Sequence, residues 1–390
     1  MKTDYDVIIV GGGMVGATFS LLLAQQTALR IALIEAKPPT TLAVDDAPLQ
    51  RVCAINSASR QLLEVVNIWP LLYSERLGPF EQVQVWETAD SQLHFNAADI
   101  GEAYLGHIIE NQHIQQHAIT LVQNHPRITF LCPAQPQHYQ SGRIVLETGD
   151  TLTASLIVAA DGAHSLLREH AAIQTRGWSY QQHGLVATVE TEKPHQRTAW
   201  QRFLAGGPLA FLPLNDPHSC SIVWSLPTQQ ADRLKALDQI RFEAELASAF
   251  EHRLGKVTLR SERASFPLSL MHAKEYVKPG FALLGDAAHT IHPLAGQGVN
   301  LGFQDAKALV DVIYWAEQQQ RQIGSLHTLK KYQRRRLADN LLMQFSMDGL
   351  HHLFTQSLPA VGWLRRNGMR QVNQTSWLKS CFMQHALGPK

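Results

Sequence analysis

The chain begins with an alternation of apolar runs and helical repeats. Residues 5–10 are apolar and rich in β-branched side chains, which predicts a buried strand. Residues 14–27 carry apolar side chains at helical spacing, and residues 30–34 form a second apolar run. A strand, a helix and a second, parallel strand are therefore predicted at the start of the chain.

Four later segments alternate apolar and polar residues, as half-buried strands do. They are residues 81–86, 183–192, 198–203 and 220–226. We expect them to form one sheet, with the charged helical stretch 229–253 covering one of its faces. Residues 45–50 have no regular pattern and are expected to form a polar loop.

The first turn carries three glycines at the spacing of a dinucleotide-binding motif. Gly11 allows a tight turn, Gly13 lets the backbone approach a pyrophosphate, and Gly16 lets the helix pack closely on the strand. The phosphates would then bind at the helix N-terminus. Glu35 follows the second strand, where its carboxylate can accept hydrogen bonds from an adenosine ribose and would repel a 2′-phosphate. The pattern predicts FAD or NAD, with a purely structural turn as the alternative.

A second strand-to-helix turn, far along the chain, distinguishes FAD from NAD. Residues 281–284 form an apolar strand that leads into Gly285 and Asp286. A flavin must also be held at its ribityl chain and ring, whereas a dehydrogenase has no use for this second turn. We expect Asp286 to accept from ribityl hydroxyls, with a helix cap as its alternative role, and the following helix N-terminus to stabilise reduced flavin. The other cofactor-binding candidates here are Gly296, Gly298, Val299 and Asn300.

A third motif lies between these two. An apolar strand at 156–160 ends in Asp161, and the segment continues to Arg168. The three patterns GxGxxG, DGxxSxxR and GDAAH, in this order, resemble the signatures of the class A flavoprotein aromatic hydroxylases. The resemblance implies that Asp161 and Arg168 lie near FAD and the path of NAD(P)H. Without it, Asp161 would be a helix cap and Arg168 a solvated side chain.

Longer strings are similar to the hydroxylases of ubiquinone biosynthesis over nearly the whole chain. These strings are residues 51–56, 106–111, 209–214 and 289–302. Segments 183–188 and 216–226 are most similar to the 2-polyprenylphenol hydroxylases, whereas 332–348 is more similar to the demethoxyubiquinol hydroxylases. Class A enzymes often have an arginine where this chain has Asn111, so Arg51 is a further candidate for a cationic contact near the flavin.

The resemblance implies an FAD-dependent monooxygenase that hydroxylates the ring of a polyprenylated phenol with NAD(P)H and O2, through a flavin C4a-hydroperoxide. Demethoxyubiquinol and polyprenyl-methoxyphenol are the alternative substrates. The loop that contains Pro293, Gly296 and Gln297 is expected to cross the flavin and supply backbone N–H groups to the reaction. His183, His289 and His292 are acid–base candidates for which a structural role is favoured. Another kind of flavin oxidoreductase and a non-catalytic, flavin-bearing scaffold stay open as alternatives.

Together these patterns predict an α/β fold of the p-hydroxybenzoate hydroxylase type. We expect a discontinuous Rossmann-like FAD-binding domain, a β-sheet substrate-binding domain and a helical C-terminal region. The FAD-binding domain is assigned to residues 1–75, 100–175 and 275–330. The substrate-binding domain is assigned to 76–99 and 176–274, and the helical region to 331–390.

Composition bears on whether nucleic acid, a metal ion or a membrane is a partner of this chain. With 34 basic and 33 acidic residues the chain has no net field that would attract nucleic acid, and its four cysteines have no metal-binding spacing, so no metal is expected. No apolar run approaches the roughly 20 residues that span a bilayer, and no leader-like segment precedes the first strand, so a cytoplasmic protein is expected.

The C-terminal segment adds a membrane hypothesis. No acidic residue follows Asp348, and aromatic residues alternate there with basic ones: Arg365, Arg366, Arg370, Lys379 and Lys390. Such a segment suits the anionic inner face of a membrane or a multiprotein complex of the pathway. A helix packed on the FAD-binding domain is the alternative.

Overall fold

The computed structural model describes residues 3–88, 90–291, 298–355 and 359–388. Its strands are β1 (Tyr5–Val10), β2 (Ile31–Ile34), β3 (Val52–Ile55), β4 (Gly78–Phe80), β5 (Gln82–Thr88), β6 (Ser91–Asn96), β7 (Gly106–Glu110), β8 (Ile128–Leu131), β9 (Pro136–Gln140), β10 (Arg143–Leu146), β11 (Thr151–Ala159), β12 (Thr175–Thr191), β13 (Thr198–Leu204), β14 (Gly207–Pro213), β15 (Ser219–Pro227), β16 (Val257–Leu259), β17 (Ala264–Ala273), β18 (Val277–Lys278), β19 (Phe281–Leu283) and β20 (His289–Thr290). Its α-helices are α1 (Met14–Gln26), α2 (Ser57–Val65), α3 (Asn111–Gln123), α4 (Leu166–His170), α5 (Thr228–Ala236), α6 (Gln239–Ala249), α7 (Gly298–Gln318), α8 (Leu326–Thr355), α9 (Pro359–Gln374) and α10 (Ser376–Leu387).

The first sheet is the parallel sheet that the N-terminal pattern predicts. Its order is β18-β19-β11-β1-β2-β8, with β10 and β9 attached beside β11. The pairings of β1 with β2 and β11, of β2 with β8 and of β11 with β19 are all parallel. Helices α1, α3 and α7 pack around this sheet, which explains why its strands are apolar on both faces.

The second sheet contains the four strands that the alternating segments predict. Its order is β20-β17-β12-β15-β14-β13-β5-β6, with β16 beside β12. The predicted helical stretch 229–253 corresponds to α5, which begins one residue earlier, and α6. These helices bury Leu234, Phe242 and Leu246 in a core shared with this sheet. The sheet is therefore covered on that face, as expected.

The strands β3, β7 and β4 form a small third sheet in that order. Its residues Phe80 and Ile108 share an apolar cluster with Ala199 of β13 and Met383 of α10. The strands thus divide among three sheets, and the assignment of residue ranges to two binding domains stays a prediction.

The C-terminal helices pack at the edge of the second sheet. Arg365 on α9 is buried and donates to the carboxylate of Glu87 on β5 and to the carbonyl of Leu353. Lys379 on α10 lies 3.6 Å from a carboxylate oxygen of Asp99. Both cations therefore have partners within the chain, and contact of this segment with a membrane or a complex stays a prediction. Among the described helices none is long and apolar enough to cross a bilayer.

Candidate functional site

The three motifs converge at one edge of the first sheet. Gly11 directly follows β1, Asp161 comes shortly after β11, and Gly285 comes shortly after β19. Because β11 pairs in parallel with both β1 and β19, the three strands end side by side. Ligands of open α/β sheets bind outside the carboxyl ends of the strands, so this edge is the candidate cofactor site.

The glycine turn has the shape that a close-lying diphosphate requires. Gly11 has φ +106°, and a Cβ there would lie 2.2 Å from the carbonyl oxygen of Ala160. A Cβ at Gly16 would lie 2.0 Å from the carbonyl oxygen of Gly11, whereas one at Gly13 meets no atom within 4 Å. Gly11 and Gly16 are therefore required by the fold, while Gly13 faces open space at the N-terminus of α1.

Glu35 lies beside this turn, where the sequence predicts it. Its Oε2 accepts from the backbone N–H of Gly12 at 2.6 Å, and its Oε1 accepts from that of Lys37 at 3.1 Å. The side chain of Gln115 donates to the Gly12 carbonyl at 3.0 Å. The carboxylate is thus held next to the glycine turn, and its contact with a ribose stays a prediction.

In the DG segment, Asp161 and Arg168 have different roles. Asp161 accepts from the backbone N–H of Leu167, but its Oδ1 is buried without a partner, and burial raises the pKa of its carboxyl against the opposing hydrogen bonds. Arg168 is buried and donates to the carbonyl oxygens of Ala287 and Ala163, each at 3.0 Å. The description of Arg168 as a solvated side chain is therefore wrong: it ties the DG segment to the GDAAH segment.

Asp286 lies on the short 3₁₀ helix Gly285–Ala287 at the same edge. Its side chain has an exposed surface but is surrounded by protein at longer range, and the lost hydration raises the pKa of its carboxyl. The charges of His289 and Arg51 oppose this rise, so Arg51 lies within electrostatic reach of Asp286. The guanidinium of Arg51 is 5.8 Å from the ring centroid of Phe266 on β17, which places it between the two large sheets.

Asn111 is held close to the backbone of Arg51. Its N–H donates to the Arg51 carbonyl at 3.0 Å, while its side-chain Oδ1 is buried without a partner. Two such orphaned acceptors, on Asn111 and Asp161, border the same strand-end region. Together with the open Gly13 and the uncapped N-terminus of α1, they fit a large polar ligand with hydroxyl and phosphate groups, as FAD has.

The side chain of Asn300 makes hydrogen bonds within the chain, and its contact with FAD stays a prediction. Its Oδ1 accepts from the backbone N–H of Asn56 at 3.2 Å, and its Nδ2 donates to the carbonyl of Ala54 at 2.8 Å. The amide therefore ties α7 to β3 and α2. Gly298 and Val299 form the start of α7, and a Cβ at Gly298 meets no atom within 4 Å.

The predicted catalytic loop lies outside the described residues. This applies to Pro293, Gly296 and Gln297, and also to His292. Their contact with the flavin stays a prediction.

Of the other candidate histidines, both have partners. His183 Nδ1 is 3.0 Å from the hydroxyl of Thr228, and buried His289 contacts Asp305 through Nε2. Sequence reasoning missed Asp305, although a carboxylate among apolar residues on the inner face of a predicted helix was a signal. It also missed the buried ion pair of Arg76 with Glu110, which anchors the irregular loop: Arg76 donates to the carbonyls of Ala43, Val44 and Asp46.

Comparison with known proteins agrees with this geometry. A family model described as an FAD binding domain matches residues 108–344. The chain is 38% identical to the 3-demethoxyubiquinol 3-hydroxylase of Escherichia coli (strain K12), with 98% of each chain covered. It is 34% identical to the ubiquinone biosynthesis monooxygenase COQ6 of Drosophila melanogaster, covering 98% of this chain and 90% of that protein. It is 35% identical to the ubiquinone hydroxylase UbiL of Rhodospirillum rubrum, with 98% and 89% covered.

Two solved structures have the same fold. The p-nitrophenol 4-monooxygenase PnpA from Pseudomonas putida DLL-E4 superposes with a TM-score of 0.77 at 15% identity over the whole of both chains. PqsL from P. aeruginosa, in complex with 2-aminobenzoylacetate, gives a TM-score of 0.77 at 21% identity and covers 94% of this chain and 99% of that one. The predicted α/β architecture is confirmed.

Proposed function

The chain belongs to the FAD-dependent monooxygenases that include the hydroxylases of ubiquinone biosynthesis, and from this membership we propose that it hydroxylates the aromatic ring of a prenylated phenol or quinol. The observation that carries the proposal is the convergence of the three motifs at the ends of β1, β11 and β19. NAD(P)H and O2 are the co-substrates.

Bound FAD, once reduced by NAD(P)H, supplies the means to activate O2 for attack on an electron-rich ring. The residues of the chain bind and orient it. The N-terminus of α1 and the open side of Gly13 take the diphosphate, Glu35 accepts from the adenosine ribose, and Asp286 accepts from the ribityl chain. Arg51, exposed between the sheets, supplies positive charge on the same side as Asp286.

Protection from water is the second task of the chain in this reaction. The second sheet reaches the GDAAH segment at β20, which starts at His289 and pairs with β17, and Phe266 on β17 lies next to Arg51. An apolar cover of this kind keeps solvent from the reacting atoms and holds the ring near them. In the chain's part of the mechanism, backbone groups and exclusion of water therefore matter more than a side-chain base.

Two rings are candidates for the substrate. The identity of 38% with the E. coli 3-demethoxyubiquinol 3-hydroxylase supports a demethoxyubiquinol. The similarity of segments 183–188 and 216–226 to 2-polyprenylphenol hydroxylases supports a polyprenylphenol instead. The test is to incubate the FAD-loaded protein with NADPH and O2 and each compound separately, with a short prenyl chain, and to locate the new hydroxyl group by mass spectrometry and NMR. If NADPH is consumed with both and only hydrogen peroxide forms, the substrate assignment fails.

We also propose that the C-terminal helices contact a membrane surface, which the prenylated substrate requires, with a multiprotein complex of the pathway as the alternative partner. On α10, Trp377 is 71% exposed and Phe382 is 56% exposed, and Arg370 on α9 is exposed as well. Exposed aromatic residues together with an exposed cation on the preceding helix suit the interface of an anionic bilayer.

The membrane proposal is tested by co-sedimentation with vesicles that contain anionic lipid. The variant Trp377→Ser with Phe382→Ser should bind less protein to the vesicles than the wild type. The control is Ile240→Ser on α6, which removes a side chain that is 79% exposed on another surface. Equal binding of all three proteins would remove the support for this surface.

A further inference from the structure

A buried polar cluster connects the GDAAH segment to helices α7 and α8. His289 Nε2 donates to Asp305 Oδ2 at 2.5 Å, and Arg336 Nε donates to Asp305 Oδ1 at 2.7 Å. Arg336 also donates to Asn340 Oδ1 at 2.7 Å, and Asn340 Nδ2 donates to Asp305 Oδ1 at 3.1 Å. All four side chains are buried. His289 is thus joined through Asp305 to α8, a helix that carries none of the three cofactor motifs.

The negative charge of Asp305 in this cluster is stabilised by its partners His289 and Arg336. Burial alone would raise the pKa of Asp305, but the charges and hydrogen bonds of His289 and Arg336 outweigh it and hold that pKa below its ordinary value. The charges and hydrogen bonds of His289 and Arg336 thus favour the ionised form of this buried carboxylate. Well-packed apolar residues often stabilise a fold as much as such a cluster does, so its contribution here is one of geometry.

The geometry in question is that of the segment around Asp286. Three contacts from different elements fix this segment. Arg168 of α4 donates to the Ala287 carbonyl at 3.0 Å, and the backbone N–H of Ala273 on β17 donates to the Ala288 carbonyl at 2.8 Å. The third contact is that of the His289 ring with Asp305. Of these three contacts, only the one made by His289 uses a side chain of the segment itself; the other two reach its backbone carbonyls.

We infer that Arg336 is a positioning residue for the cofactor site: by holding Asp305 it fixes His289, and through His289 it sets the orientation of Asp286 toward FAD. The inference rests on the proposed binding of FAD by Asp286 and is independent of the identity of the substrate. It places a determinant of cofactor affinity on α8, in the helical C-terminal region.

The test compares two neighbouring arginines of α8. Arg336→Met removes the buried guanidinium, whereas Arg335→Met removes an exposed one and serves as the matched control. Titration of the apoprotein with FAD, followed by flavin fluorescence, should give a Kd about tenfold higher for R336M and an unchanged Kd for R335M. The visible circular dichroism of the bound flavin should change in R336M alone. Arg336→Lys keeps the charge but not the forked donors, and should recover part of the affinity.

A double-mutant cycle separates positioning from a general loss of structure. If Arg336 acts through Asp286, R336M should cause little further loss of affinity when Asp286→Ala is already present. An equal loss in both backgrounds, or wild-type affinity and spectrum in folded R336M, would overturn the inference. If R336M does not fold, R336K and Asn340→Ser carry the same test, and wild-type affinity in both overturns it. Because no substrate is added, a failure to find a hydroxylated product leaves this result unaffected.

Discussion

Replacing Gly13 by alanine should weaken FAD binding without harming the fold. The backbone at Gly13 has φ −67° and ψ 177°, which alanine adopts without strain, and its Cβ meets no atom within 4 Å. Alanine is a poorer N-cap than glycine, but it also restricts the unfolded chain, and these effects offset each other to within about 1 kcal/mol. The free energy of unfolding of the apoprotein should therefore stay nearly constant.

The same methyl group points to where the diphosphate is expected. Pushing the phosphates away from the N-terminus of α1 would break one charge-assisted hydrogen bond, at a cost of about 1.5–3 kcal/mol. This corresponds to a Kd for FAD raised roughly ten- to hundredfold. Urea unfolding of the apoprotein and fluorescence titration with FAD measure the two quantities separately. Gly16→Ala is the contrast, since its Cβ would lie 2.0 Å from the Gly11 carbonyl oxygen and both quantities should suffer. An unchanged affinity in G13A would refute the placement of the diphosphate.

Three further predictions concern other parts of the structure. Asp286→Ala should weaken FAD binding and abolish turnover, whereas Asp311→Ala on the exposed face of α7 should do neither, and a normal flavin spectrum with full activity in D286A would count against its ribityl contact. Burial lowers the pKa of His107, His113 and His272 to about 4, so the unfolded chain takes up their protons first and stability is lost as pH falls from about 6.5 to 4. His272→Leu should flatten that slope in urea unfolding, and an identical slope would contradict the assignment. Arg76→Met should cost about 3–5 kcal/mol because it leaves the buried Glu110 carboxylate without its ionic partner, and limited proteolysis should then cut near residues 43–46. Arg233→Met, which breaks an exposed pair, should leave stability and proteolysis nearly unchanged.

Local patterns predicted the first sheet and its ligand-binding edge well. β1 spans the predicted residues, and β2 and α1 each differ from the prediction by one residue at one end. The agreement is close because the apolar period and the glycine turn are local signals that act within a few residues of each other. The order of the motifs also predicted that one cofactor contacts segments far apart in sequence. The predicted parallel strands bring these segments to one edge.

The polar interior could not be predicted in the same way. Arg365 pairs with Glu87 across 278 positions, and Asp305 meets Arg336 across 31. Neither spacing carries a periodic signal, since such pairs form only after separate elements have packed. The burial of Arg168 could not be predicted for the same reason. Its partner, the Ala287 carbonyl, comes close to the DG segment only because β19 pairs with β11. The sequence alone therefore does not show whether a basic side chain in a helical stretch is solvated or paired.

The most direct test of the account follows the oxygen atom itself. The FAD-loaded protein is supplied with NADPH, a short-chain demethoxyubiquinol or 2-prenylphenol and isotopically labelled O2, and the product is analysed by mass spectrometry. The account predicts a product that carries one labelled oxygen atom on its ring, with NADPH consumption that depends on the ring compound. A product whose new oxygen comes from water, or reduction of the flavin with no oxygen transfer to either ring, would contradict it.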